Sequence, residues 1–246
     1  MKNMSSENPL CVRLWHRVAD WLRAWVELFV PRTCVVCGDL LCEGEECICL
    51  KCNMDLPRTN LHLLKDNRVE RLFWAKLPLG RATSYFYYRK GSNYCNIVHR
   101  LKYEGNKKIG RVMGRCMAAE LLPSGFFEGV DVLMPVPLHP KKQRARGYNQ
   151  SELLARGLSE VTGLPVDARS LVRQKHVESQ TRKSAYERWA NVEGIFRLEC
   201  PERFAGKHVL LVDDVLTTGA TTTACADAFA GVPDVRISIL TLSMAD

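Results

Sequence analysis

No run of about 18 apolar residues occurs in the 246-residue chain, so a membrane-spanning helix is not expected. The amino terminus also lacks the unbroken apolar core of a secretory signal, because His16, Arg17, Asp20, Arg23 and Glu27 interrupt it. A cytoplasmic protein is the expectation. There is no Gly-x-x-x-x-Gly-Lys-Ser/Thr, which removes the ordinary phosphate loop of nucleotide triphosphatases. Acids are scarce in the middle of the chain: Arg81 to Arg115 holds nine Lys or Arg against one acid, and Lys141 to Arg188 eleven against five. With a formal charge of +8, these stretches point to anionic partners. The cysteines do not form a secreted disulfide framework. They number eleven, an odd total, and six crowd between Cys34 and Cys52, which suits a reducing compartment.

What is present is ordinary globular material, 46% hydrophobic and 25% charged, long enough for one α/β domain beside a small module. Residues 1–30 read as an amphipathic helix, since Leu14, Val18, Trp21, Trp25 and Leu28 recur every three or four positions until Pro31. Residues 31–57 form a cysteine module. Cys34-x-x-Cys37 and Cys49-x-x-Cys52 stand eleven residues apart, and four thiolates in two tight pairs suit a closed, tetrahedral, structural Zn2+ site. Cys42 and Cys47 are two further thiols, and Cys47 could replace Cys49. Five acids and one Lys between Cys34 and Asp55 make this module a poor phosphate binder. Residues 58–80 are expected to be a connection packing on the body, residues 81–246.

The most informative stretch is Lys207 to Thr221. Val209 to Val212 read as a strand buried on both faces, Asp213 and Asp214 as an acid pair at its carboxyl end, and Thr217-Thr218-Gly219-Ala220-Thr221 as a loop entering a helix that runs toward Gly231. Parallel sheets bind ligands beyond the carboxyl ends of their strands, and a helix amino terminus suits a phosphate. Adjacent carboxylates accept hydrogen bonds from a diol. A response-regulator receiver domain also carries two acids after a strand, but only 32 residues follow Asp214, too few for it. The run resembles the binding signature of the type I phosphoribosyltransferases at every position. That resemblance implies that Asp213 and Asp214 hold the ribose hydroxyls of phosphoribosyl pyrophosphate and that Thr217, Thr218, Gly219, Ala220 and Thr221 cradle its 5-phosphate.

Elsewhere, Thr83 to Tyr88 read as an aromatic strand, Tyr94 to Leu101 and Ile109 to Leu121 as helices, and Val130 to Met134 as another buried strand. That strand ends at Pro135-Val136-Pro137-Leu138-His139-Pro140, where the prolines fix a rigid corner. Lys141, Lys142, Arg144 and Arg146 follow, a cluster suited to diphosphate or nucleic-acid phosphates. Asn149 with Glu152 can cap the next helix. Arg173 to Asn191 is long, polar and basic, the profile of a lid. Val235 to Leu242 supplies the last strand.

Four cysteines ahead of such a body, with Lys102-Tyr103-x-Gly105, Val136-Pro137-Leu138-His139-Pro140, Arg146-Gly147-Tyr148-Asn149-Gln150, Gln180 and Arg188-x-x-Asn191-Val192-x-Gly194-x-Phe196, are similar to the ComF family, associated with DNA uptake in competence. The resemblance implies a type I phosphoribosyltransferase-like parallel sheet flanked by helices, with a zinc-ribbon-like amino-terminal module. It makes Val136, Pro137, Leu138 and His139 a diphosphate loop, with Lys102 and Arg146 as charge partners and Mg2+ bound with the substrate. The implied activity is phosphoribosyl transfer to a nitrogen acceptor, linked to DNA uptake or to nucleotide metabolism. The competing reading is a non-catalytic adaptor that binds phosphoribosyl pyrophosphate or single-stranded DNA for a DNA-uptake helicase, using Tyr85 to Tyr88 for base stacking. Zinc-dependent nucleic-acid recognition fits worse, given the acidic cysteine module.

Overall fold

The computed structural model describes residues 31–74, 77–174 and 195–245. The expected helix at 1–30 and most of the expected lid lie outside them. The chain divides into two compact units after Asn53. In the first, Thr33 and Leu40 form an antiparallel bridge, and Gly38, with φ of 84°, turns the chain behind Cys37. A short helix, α1 (Leu50–Met54), carries Cys52.

The second unit begins at Met54. Residues 58–80 carry α2 (Arg68–Phe73), capped by Asn67, whose side chain accepts from the Val69 and Glu70 amides while Glu70 answers the Asn67 amide. Asn67 also donates to the carbonyl of Ala82 over 3.0 Å. These residues are thus joined to the first strand, and Phe73 is fully buried in the main core.

The remaining elements are β1 (Leu79–Tyr88), α3 (Cys95–Tyr103), α4 (Lys107–Leu121), β2 (Val132–Pro135), α5 (Pro140–Arg146), α6 (Gln150–Thr162), β3 (Leu171–Arg173), β4 (Phe196–Leu198), β5 (His208–Leu216), α7 (Ala220–Asp227) and β6 (Arg236–Ala245). Four strands form one sheet in the order β1-β6-β5-β2, all parallel. Val166 extends it beyond β2 by a parallel bridge to Leu133. The antiparallel pair β3 and β4 flanks residues 175–194. Val209 to Val212 are buried, as a strand covered on both faces requires.

From β2 the chain moves outward to Val166, whereas from β5 it moves the other way to β6. The direction of winding therefore reverses between β2 and β5, where open parallel sheets leave a crevice at their carboxyl ends. Helices α4 and α6 cross with their backbones in contact. A Cβ on Gly157 would lie 2.2 Å from the Arg111 carbonyl oxygen, and one on Gly114 2.3 Å from that of Leu154. Opposite, Phe73, Phe196, Phe204, Cys225 and Phe229 pack with Val209 and Leu211 of β5. Helix α7 ends before the expected Gly231, because the amides of Phe229 and Ala230 bond three residues back and tighten the chain into turns. No helix among the described residues is long and apolar enough to cross a membrane.

Candidate functional site

The crevice is a pocket of about 300 Å³ whose wall includes Lys102, Val136, Pro137, Leu138, Arg146, Asp213, Asp214, Thr217 and Thr221. Segments more than a hundred residues apart in sequence thus meet. His139, Thr218, Gly219 and Ala220 neighbour this wall without lining it. His139 instead caps α5, its Nδ1 accepting from the Lys141 amide. Of the basic cluster, Lys142 and Arg146 reach the wall, while Lys141 and Arg144 do not line it.

Each wall segment has a visible support. The Val136 amide donates to the Val212 carbonyl, so the proline corner continues the β2–β5 ladder by one bond. The Asn149 side chain donates to the Val136 carbonyl over 3.0 Å and accepts from the Ser151 amide, tying the corner to the start of α6. The expected reciprocal cap from Glu152 is not formed; its carboxylate bonds Arg156 one turn on, the stronger charge-assisted alternative. Gly219 has φ of 76°, and a Cβ there would sit 3.0 Å from the Phe73 ring. Residues 58–80, read as a connection, therefore support the loop before α7.

The acid pair is asymmetric. Asp213 Oδ1 accepts from Ser151 Oγ at 3.0 Å and from the Asp214 amide at 2.8 Å. Burial and then the Asp214 charge push the Asp213 carboxyl up to about 7, against the opposing pull of those two donors and Lys102. Asp214 is 5% exposed. Lys102 Nζ stands 3.2 Å from its Oδ2 as an ion pair, yet that buried oxygen has no aligned hydrogen-bond donor. A bound hydroxyl or metal-held water would satisfy it. Arg146 bonds the Gln150 side chain, and its guanidinium lies 5.4 Å from the ring centre of Tyr103, an exposed residue of the same wall.

Sequence reasoning missed Ser151 and Tyr103 and took Arg173 only as the start of a lid, though all three line the pocket. The capping pattern Asn149-x-x-Glu152 located the helix, but nothing local in it marks Ser151 as facing Asp213. Conversely, Tyr85 is buried at 2% exposure inside the sheet, so its ring is not available to stack a base.

In the first unit, the sulfurs of Cys34, Cys37, Cys49 and Cys52 lie within 4.8 Å of one another, a group that could hold a metal ion such as zinc. Cys42 and Cys47 lie outside it. The amides of Cys49 and Val36 point at Cys34 Sγ at 3.3 and 3.5 Å. Burial pushes the Cys34 thiol up, but the amides of Cys37, Cys49 and Val36 together bring it down to about 7. The Glu45 carboxylate accepts from the Cys42 and Leu50 amides, both at 2.7 Å, so this acid braces the second knuckle.

The fold and crevice define an α/β protein with an acid pair at the switch point of a parallel sheet, preceded by a four-cysteine module. The DNA utilization protein YhgH of Escherichia coli O157:H7 is 30% identical over 209 residues, covering 79% of this chain and 88% of that protein. Competence protein F of Haemophilus influenzae is 32% identical over 129 residues, 51% of this chain and 56% of that one. Competence protein ComFC of Bacillus subtilis is 37% identical over 127 residues, 50% and 48% of the two chains. The chain belongs to the ComF family. No protein-family model matches it. A hypoxanthine phosphoribosyltransferase from Staphylococcus aureus superposes with a TM-score of 0.36 at 16% identity, over 63% of this chain and 73% of that one; the assignment rests on the sequence relatives.

Proposed function

We propose that the crevice binds phosphoribosyl pyrophosphate with magnesium, and that the chain is a phosphoribosyltransferase-like protein serving DNA uptake. The observation that carries this reading is the composition of one pocket wall: Asp213 and Asp214 in the middle, Thr217 before α7 and Thr221 in its first turn, and the Val136 to Leu138 corner with Lys102, Lys142 and Arg146. A sugar diol between two phosphate groups matches that order of charges. The carboxylates take the ribose hydroxyls, and Asp214 Oδ2, ion-paired with Lys102 but without an aligned hydrogen-bond donor, fits one. The amino end of α7 and the loop Thr217 to Thr221 take the 5-phosphate. The diphosphate faces Lys102, Lys142 and Arg146.

In transfer, Asp213 and Asp214 hold the ribose while its C1 gains positive character and a nitrogen nucleophile approaches, and the basic side chains stabilise the departing diphosphate. Magnesium, bound with the diphosphate, would supply further neutralisation of that charge. The cysteine group takes a structural zinc ion, which replaces the apolar core that so short a unit cannot bury. The place in DNA uptake is supported by the names of the relatives, a DNA utilization protein and two competence proteins.

A phosphorus NMR time course with magnesium and phosphoribosyl pyrophosphate, with and without nucleobases, tests the reading beside Asp213→Asn/Asp214→Asn. Base-dependent diphosphate release that vanishes in the double variant is the expected result. Line broadening without turnover, also lost in the variant, reduces the protein to a binder or adaptor. No interaction at all overturns the ligand assignment.

A further inference from the structure

Tyr103, the last residue of α3, belongs to the wall of the crevice and keeps 68% of its surface exposed. The ring has two close neighbours. His99, one turn earlier on the helix, lies 5.1 Å away between ring centres at a tilt of 48°, and the Arg146 guanidinium carbon stands 5.4 Å from the Tyr103 ring centre. The negative face of an aromatic ring attracts a guanidinium, and the flat cation stacks on it.

Arg146 closes α5, where Gly147, with φ of 77°, turns the chain out of the helix. Its Nη1 donates over 2.5 Å to Oε1 of Gln150, a buried side chain. One hydrogen bond leaves a long side chain free to pivot about that contact. The Tyr103 ring supplies the second constraint. Together they fix one corner of the guanidinium and its plane, so the remaining N–H groups have a set direction. Lys102, the residue before Tyr103, is already engaged by Asp214 at 3.2 Å, whereas no carboxylate among the described residues pairs with Arg146. A guanidinium held in this way is ready for phosphate oxygens.

We propose that Tyr103 is a positioning residue for the diphosphate end of the crevice, its ring holding Arg146 in the plane from which the free N–H groups meet the diphosphate oxygens. The proposal rests on the reading that the crevice binds phosphoribosyl pyrophosphate. The ring acts through Arg146, and its contribution is preorganisation: the ordering of the cation is complete before the ligand arrives. Three consequences distinguish this role. The hydroxyl is dispensable, an aliphatic side chain of similar bulk does not substitute, and the effect is confined to the diphosphate half of the ligand.

The test is isothermal titration of the full chain with two probes, magnesium diphosphate and ribose 5-phosphate. Arg146→Ala should weaken diphosphate binding about tenfold or more, the loss of a charge-assisted contact. Tyr103→Leu should weaken it about two- to fivefold, the range of a cation against an exposed ring, while Tyr103→Phe binds like the parent and Tyr103→Trp binds at least as well. Ribose 5-phosphate should bind all three Tyr103 variants within about 1.5-fold of the parent, and in an Arg146→Ala background Tyr103→Leu should add nothing, since the two residues act as one unit. An exposed ring supports no core, so the urea midpoints of these variants should match the parent. The inference alone is overturned if Arg146→Ala weakens diphosphate binding but Tyr103→Leu does not, if Phe and Leu at 103 behave alike, or if the Leu effect persists without Arg146. Failure of the parent to bind either probe, or indifference of diphosphate to Arg146→Ala, overturns the reading of the crevice and this inference with it.

Discussion

Tyr148 donates its hydroxyl to the Leu101 carbonyl over 2.7 Å, in a buried bond that joins the turn between α5 and α6 to the end of α3. Lys102, the next residue, is the cation beside Asp214. Arg146 and Gln150 flank the same turn. One hydroxyl thus ties together the segments that carry Lys102 and Arg146, two of the three basic groups proposed to meet the diphosphate.

Tyr148→Phe should therefore do two things. It strands the Leu101 carbonyl, costing about 1 to 3 kcal/mol of stability, and it frees Lys102 to drift from Asp214. Urea unfolding measures the first effect. The second appears as weaker binding of phosphoribosyl pyrophosphate at temperatures where the variant is fully folded; unchanged affinity there would separate Tyr148 from the site.

The raised Asp213 carboxyl makes stability depend on pH with an unusual sign for an acid. Its value in the fold, about 7, lies above the ordinary 3.8, so between these limits the folded chain holds more proton than the unfolded one. This group's contribution to stability therefore falls as pH rises through that window and levels off above it. Asp213→Asn keeps an oxygen acceptor for Ser151 and the Asp214 amide but removes the charge. At pH values well above the window it should be more stable than the parent by at least about 1 kcal/mol, and below the window the gain should disappear. Denaturant midpoints at several pH values decide this.

Removal of metal should act on one unit. With zinc as the centre of the four sulfurs, strong chelation is expected to raise amide exchange throughout residues 31–53 while the sheet of the second unit stays protected. Cobalt substitution should give the intense thiolate-to-metal absorption of a four-sulfur site. Cys34→Ser or Cys49→Ser should reduce it, and Cys42→Ser/Cys47→Ser should not; the reverse pattern would move the ligand set to Cys47.

Gly157→Ala tests the crossing of α4 and α6. The added methyl would meet the Arg111 backbone at 2.2 Å, so the helices must separate, at a cost of about 1 to 3 kcal/mol or more. Gly163→Ala, where the added carbon meets nothing within 4 Å but φ is 73°, reports backbone strain alone. A larger loss at Gly163 would contradict the close-contact account of this interface.

The sequence alone determined those features whose physics is local. An apolar run ending in two acids and a hydroxylated, glycine-containing loop dictates strand, turn and helix start, and two Cys-x-x-Cys pairs dictate a sulfur cluster. The prolines after Met134 fix a corner wherever the strand lies. What remained for the tertiary structure was which distant segments meet. Periodicity gave no sign that Phe73 lies under Gly219, that Ser151 reaches Asp213, or that Tyr85 turns inward while Tyr103 stands at the pocket mouth. These depend on strand order, on the close passage of α4 over α6, and on which side of a helix faces the sheet. The Asp213 proton is settled at the same level, because desolvation and the neighbouring charge act only once β5 is enclosed. Side-chain pattern specifies an element and its buried face; the contacts between elements follow from how the whole chain closes.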